Sequence, residues 1–244
     1  ESASGSLTKE KSAAIIAELK RKSGDIDILD KQIALEQAIA GSPLVVGNKV
    51  SLLQDGAATY AAMFAAIRSA RDHINLESYI IDDDEIGRQF ADLLLQQQGR
   101  GVQVNVIYDS FGALNTRRAF FDRLEAGGIA VLEFNPINPL EGNADWELNS
   151  RDHRKLLVVD GRIAFIGGIN ISSVYSGGSF KKITHSHPDG ATAWRDTDLQ
   201  LQGPVVAELQ KLFLATWKAQ KGAPLAARNY FPKPQTVGRQ VVRA

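Results

Sequence analysis

Two short apolar runs, Leu156-Leu157-Val158-Val159 and Ile163-Ala164-Phe165-Ile166, stand on either side of Asp160-Gly161. An Asp-Gly pair between such runs signals a β-hairpin with a two-residue turn, because both turn residues must accept the left-handed backbone region. Counted back from that turn, Val159 faces Arg162, Lys155 faces Ile166 and His153 faces Gly168, which brings Asn170 close to the His153 end. Side chains alternate faces along a strand, so His153 and Lys155 project to the same side. Gly167 and Gly168 remove side chains beside them, a device that lets a bulky anion approach the backbone. Asp160 lies at the turn, roughly 16 Å from His153 at the usual strand rise, and reads as a structural residue.

The hairpin sits within a longer alternation. Strand near 44–53, helix 56–70, strand 73–80, helix 83–98, strand 102–108, helix 115–126 and strand 129–134 follow one another, then a loop over 135–150. After the hairpin come a Gly/Ser/His-rich loop over 171–193, a strand near 197–202 and a helix over 204–220. Alternation of this kind predicts an α/β fold with a parallel or mixed sheet and helices on both faces. Residues 1–43 read as a helical extension, with two short helices over 8–40 broken at Ser23-Gly24.

Composition narrows the class. A chain of 244 residues with 44% hydrophobic residues can bury a sizeable core. Lysine plus arginine equals aspartate plus glutamate at 28 each, so no global field favours nucleic acid. Cysteine is absent, which excludes disulfides and thiolate catalysis. No run approaches the ~18 apolar residues of a membrane span. The chain begins at Glu1 without methionine, which points to processing or trimming that removes an export signal or an anchor.

His153, Lys155 and Asn170 form the candidate reactive centre. A neutral imidazole is a competent nucleophile toward phosphorus, and covalent catalysis divides one displacement into two easier ones. Lys155 and Asn170 fit as donors to non-bridging oxygens that gain charge in the transition state. Glu77 and Tyr79 share a face near the end of the strand 73–80, and Asp109 closes the strand 102–108, where strand ends line the crevice of open α/β sheets. Two other clusters read as bland: Asp82-Asp83-Asp84-Glu85 opens a helix, and His185-Ser-His187 offers only two metal ligands beside Pro-Asp-Gly.

The spacing H-x-K-x4-D-x6-G-G-x-N, fixed over residues 153–170, resembles the signature of the phospholipase D superfamily. The segments His73-Ile-Asn-Leu-Glu77-Ser-Tyr79, 101–109, 134–139 and Trp194-Arg-Asp196 look like its bacterial cardiolipin synthase branch, and the likeness covers roughly 44–230. That resemblance implies an α/β/α sandwich with a mixed central sheet. It also implies a phosphohistidine intermediate, with a second motif's histidine as general acid and then base. Asp196 becomes the carboxylate that holds the other imidazole nitrogen, with Asp198 as fallback; Gly167, Gly168, Glu77 and Tyr79 become substrate contacts. Gly168 stands where serine is common.

Enzymes of the family use two such motifs, and no other histidine here is followed by lysine two positions on. The site is therefore half a site, completed by a C-terminal portion, a separate chain or a homodimer mate, with 231–244 as the linker. The resemblance implies peripheral membrane association and the joining of two phosphatidylglycerol molecules with release of glycerol, needing no metal or organic cofactor. The alternatives are a single-motif homodimeric phosphodiesterase on nucleic acid, which the neutral composition disfavours, and a non-catalytic half that binds phospholipid headgroups.

Overall fold

The computed structural model describes residues 44–136, 151–176 and 196–243, together with the isolated helical positions Ala14, Ala17 and Arg21. The expected N-terminal helices, most of the loop 135–150, residues 177–193 with both histidines of the His185-Ser-His187 pair, and Trp194 lie outside the described residues. Among the described residues the elements run β1 (Val45–Gln54), α1 (Asp55–Ser69), β2 (His73–Ser78), α2 (Glu85–Gly99), β3 (Gln103–Asp109), α3 (Arg118–Ala126), β4 (Ala130–Phe134), β5 (Lys155–Val159), β6 (Ile163–Gly167), β7 (Thr197–Gln202), α4 (Val206–Ala219) and β8 (Gln240–Val242).

All eight strands belong to one sheet in the order β4-β3-β2-β5-β6-β7-β1-β8. β2, β3 and β4 are mutually parallel, as helical crossovers between them require. β5 enters antiparallel to β2, and the remaining pairs are antiparallel too.

Every residue of β5 is buried, so its apolar run has to be covered on both faces. Leu157 and Val159 pack with α1, α2 and α3 through Ile67, Phe90, Leu94 and Phe121. Leu156 and Val158 face the other way, onto Leu209, Phe213 and Trp217 of α4. Those three recur at one face of a helix, and the structure buries them. Leu212 is exposed because it lies at the edge of that face. The result is the expected three-layer α/β arrangement with a mixed sheet.

β2 is asymmetric. Ile74 and Leu76 join the apolar layer under α1 to α3, while His73, Asn75 and Glu77 point to α4 and are fully buried. The polar groups of His73 and Asn75 are met by neighbours: Gln210 Oε1 lies 3.2 Å from His73 Nε2 and accepts from Asn75 Nδ2 at 3.1 Å, and Asn75 Oδ1 accepts from Asn105 Nδ2 at 2.7 Å. Buried polar groups persist where such partners exist.

The hairpin register differs from the sequence expectation. Val159 pairs with Ile163 and Leu156 with Ile166, so three residues rather than two separate the paired strands. Arg162 N–H still donates to the Val159 carbonyl at 3.0 Å, and Asp160 and Gly161 both have positive φ, 53° and 61°. The Asp-Gly turn is thus present, but Arg162 is an extra residue beyond it.

Asp160 explains why this turn is fixed. Its carboxylate accepts from the backbone N–H groups of Arg71, Asp72 and His73 at 2.9–3.2 Å, and its own N–H donates to the His73 carbonyl at 2.9 Å. The residue ties the closed end of β5 to the start of β2. Asp160→Ala is expected to destabilise the fold by about 2 kcal/mol, since it orphans these donors and places an alanine at positive φ. Asp160→Asn, which tolerates that backbone and keeps one acceptor, is expected to lose about half as much. Thermal melts of the three proteins check this; equal midpoints for all would contradict it.

Candidate functional site

The open end of β5 lies beside the carboxyl ends of β2 and β3. Asp109, at the end of β3, accepts the Asp152 backbone N–H at 3.0 Å through Oδ2. Its Oδ1 accepts from Phe111 N at 2.9 Å and Gly112 N at 3.1 Å. One carboxylate therefore shapes the loop after β3 and holds the segment that leads into His153. Lys155 pairs with Ser78 across the sheet, and the alternation puts its side chain on the opposite face from Glu77.

His153 and Lys155 are brought together. Lys155 Nζ lies 3.1 Å from His153 Nδ1 and 2.6 Å from the His153 carbonyl oxygen. The Tyr79 ring packs on the imidazole with centroids 4.6 Å apart, and the same ring lies 5.2 Å from Lys155 Nζ. His153 is exposed and Lys155 buried, so the imidazole faces outward on a largely desolvated cation. Burial lowers the Lys155 pKa to about 8 against the pull of Asp152, Asp196 and Asp198, which raise it. The charge on Lys155 governs the ring beside it. An ammonium donating to Nδ1 leaves the ring hydrogen on Nε2, whereas a neutral amine can accept from Nδ1–H and free the Nε2 lone pair.

The position expected for Asp196 is therefore a correction. A lysine, not a carboxylate, meets His153 Nδ1, and Asp196 Oδ1 accepts the Thr197 N–H at 2.7 Å. Asp198 is nearly inaccessible and accepts the Ile169 N–H at 3.1 Å; burial raises its pKa to about 6. Gly167 and Gly168 also differ from the expected open cradle. A side chain on Gly167 would strike Asp198 and Thr197, and one on Gly168 would strike the Asp196 carboxylate. These glycines let Asp196, just before β7, and Asp198, within it, close on the end of β6, and both acids bias Lys155 electrostatically.

Asn170 is buried and its amide is engaged. Oδ1 accepts the Ile80 N–H at 3.1 Å and Nδ2 donates to the Tyr175 hydroxyl at 2.8 Å, while the Tyr60 hydroxyl lies 2.6 Å from the Asn170 carbonyl. An Asn amide has a second Nδ2 hydrogen, so its expected donor role stays open to it.

Glu77 does not join the His153 pocket. It sits under α4 with Oε1 3.1 Å from Arg154 Nη2, and Arg154 Nε donates to Asp152 Oδ1 at 2.9 Å. Desolvation, and then the neighbouring Asp152, push the Glu77 pKa well above the usual carboxylate range, while hydrogen bonds from Glu77 and Arg154 help hold Asp152 low. Glu77 thereby favours its protonated form beside an ionised Asp152. Asp152 precedes the H-x-K residues and Arg154 lies between them, yet only the fold shows the two as clamps on the strand entry. Tyr60 and Tyr175 carry no motif that singles them out. Of the acidic run, Asp84 caps α2 by accepting Gly87 N–H at 2.9 Å, and Asp83 pairs with Arg88 and Arg117 at 2.7 and 2.6 Å.

An antiparallel strand set into a mixed α/β sheet thus carries His153 and Lys155, two residues apart, at its open end. The family description "Cardiolipin synthase, PLD-like domain" matches residues 63–176, a span that includes His153, Lys155 and Asn170. Cardiolipin synthase A of Pseudomonas putida is 39% identical over 175 residues, 72% of this chain and 34% of that protein. Cardiolipin synthase of Geobacillus kaustophilus (strain HTA426) is 32% identical over 206 residues, 84% of this chain and 39% of that protein. Among solved structures, NucT from Helicobacter pylori shares the fold with a TM-score of 0.50 at 17% identity, covering 72% of this chain and 97% of that one. The chain belongs to the phospholipase D superfamily, and within it the similarity falls on the cardiolipin synthases. It spans little more than a third of the length of these relatives.

The raised Glu77 pKa gives a pH signature. Between the usual carboxylate value and the raised Glu77 value, the folded chain holds a proton that the unfolded chain has released. This stabilisation is complete below the unfolded pKa and is lost as pH rises through the folded one. Glu77→Gln mimics the protonated form. Denaturant titrations from pH 5 to 9 are expected to show the parent losing more stability with rising pH than Glu77→Gln; parallel curves would contradict it.

Proposed function

We propose that this chain supplies one half-site of a phosphatidyl transferase of the cardiolipin synthase type. The observation that carries the reading is the 3.1 Å contact of Lys155 Nζ with an outward-facing His153, at the spacing the superfamily uses. In this reading a phosphodiester draws Lys155 from His153 onto its non-bridging oxygens, and the ring hydrogen moves to Nδ1. His153 Nε2 then attacks phosphorus, and the P–O bond to glycerol breaks with a proton supplied by the histidine of a second half. A hydroxyl of a second phosphatidylglycerol returns that proton to the second histidine and takes the phosphatidyl group from His153. Lys155 neutralises charge that grows on the phosphorane oxygens, a task for which a desolvated cation is well suited.

Asn170 is the second donor in this proposal, fixed by Tyr175 and Ile80. Asp196 and Asp198 act through Lys155, holding its charge against desolvation. The second half comes from a C-terminal portion, another chain or a second copy. Among the described residues no helix is long and apolar enough to cross a membrane, and the proposed association is peripheral.

The test is mass spectrometry of phosphatidylglycerol vesicles incubated with the chain plus the remaining portion of a full-length relative. The parent is expected to yield cardiolipin and free glycerol, His153→Ala neither, and Lys155→Ala a rate lower by about 10²–10³. Cardiolipin formation undiminished in His153→Ala would refute the assignment.

A further inference from the structure

The loop between β3 and α3 is held at both ends. Asp109 fixes its start through Phe111 and Gly112, and Thr116 Oγ1 donates to the Ile81 carbonyl at 2.6 Å near its end. Ser110, Ala113 and Thr116 are buried. Gly112 backs directly onto the Tyr79 carbonyl, where a side chain would clash, and Tyr79 in turn packs on His153. Despite this anchoring, Phe111 and Leu114 are 50% and 61% exposed. Val174, 49% exposed, shares one shallow depression with Asn115 and Arg117 from this loop and with Asp82, Asp83, Asp84 and Arg88. A well-tethered loop that turns two large apolar side chains outward does so by construction, and clustered apolar exposure marks an interaction surface.

The position of the cluster points to its occupant. The Arg151 guanidinium lies 5.5 Å over the Phe111 ring and its Nη1 donates to Ser110 Oγ at 3.0 Å. The other charges of the rim are paired: Arg117 and Arg88 with Asp83, and Arg118 with Asp122 and Glu125, while Asp84 accepts from Gly87 N and Ser173 N. Apolar tips on a tethered loop that backs onto Tyr79, beside a site read as acting on a phospholipid, fit the boundary between headgroups and acyl chains, where apolar burial drives insertion.

We propose that Phe111 and Leu114, with Val174 at the edge, insert into an anionic lipid surface and seat the His153–Lys155 site at headgroup depth. The inference deepens the lipid reading of the site and rests on it. A phosphodiester linking a headgroup to an acylated glycerol lies just outside the acyl boundary, so a site acting on it needs an apolar rim a few ångströms farther in.

Co-sedimentation with vesicles of phosphatidylglycerol and phosphatidylcholine, and with phosphatidylcholine alone, tests the proposal. The parent and His153→Ala are expected to bind the anionic vesicles equally. Phe111→Ser with Leu114→Ser is expected to bind at least tenfold more weakly, with its thermal midpoint kept. Phe111→Trp is expected to be quenched by brominated acyl chains, a readout that stands even if the double variant does not fold. Unaltered binding by the double variant, no binding by the parent, or a double variant altered only in its state of association would overturn it. The last outcome would make the rim a contact for a second half or second copy. Cardiolipin production with unaltered binding by the double variant would leave the proposed function standing and remove this inference alone. Equal vesicle binding with no lipid product from the parent would do the reverse.

Discussion

The burial of β5 on both faces, in the middle of the sheet, is the constraint on which the site depends. Four apolar residues in a row can be buried completely only between two helical layers, and β5 obtains them by pairing with β2 on one side and β6 on the other. At roughly 25 cal/mol per Å² of apolar surface, a central strand of this kind contributes several kcal/mol. That cohesion allows its two ends to carry polar residues that would otherwise loosen a strand. At the closed end Asp160 gathers three backbone N–H groups of the segment entering β2. At the open end Asp152 is gripped by Asp109 and Arg154. His153 and Lys155 follow from this frame, because the backbone beneath them cannot slide.

The electrostatics are arranged by sheet face. On the α4 side, Glu77 and Asp152 are buried beside a partly exposed Arg154, and the raised Glu77 pKa favours its neutral form, so little net charge is desolvated there. Keeping one of two carboxyl groups protonated limits the penalty that burial imposes on ions. On the other side Lys155 is a cation with its acids held at a distance by β7. Asp196 and Asp198 bias its charge without neutralising it by direct contact, which leaves its hydrogens for His153 and for a phosphate. A direct carboxylate partner would strengthen the ammonium yet compete with an anionic substrate for it.

Much of this was legible in the sequence, and the failures have physical causes. The alternation of 2- and 3.6-residue periods located every strand from β1 to β7 within a few residues, because each element buries a stripe of apolar side chains. The H-x-K spacing placed His153 beside Lys155 because neighbours two apart on an extended chain share a side. The register missed by one residue, since Asp-Gly specifies the turn but not whether the next residue pairs. Gly167 and Gly168 were read as room for a ligand, whereas a bare Cα says only that something comes close; here it is β7. Asp196 was expected on the imidazole by resemblance, and Lys155 stands at that nitrogen instead. Glu77 and Tyr79 share strand parity, but the strand ends at Ser78 and the chain turns, so the tyrosine reaches the imidazole while the glutamate stays under α4.

Tyr79 also shows why a half-site can be well built yet unfinished. Its ring covers one side of His153 and lies near Lys155, while its backbone supports the loop that carries Phe111 and Leu114. The protein's own contacts therefore order the imidazole from one side and from below. Displacement at phosphorus needs the incoming and leaving oxygens roughly in line, on opposite sides of the phosphorus, and a single histidine can serve only one of them. An exposed imidazole fixed on one flank, beside a desolvated lysine, is what one partner of such a pair requires; the opposite flank is where a second acid or base has to stand. Under the proposed function, the order imposed on His153 thus also sets the direction from which a second half approaches.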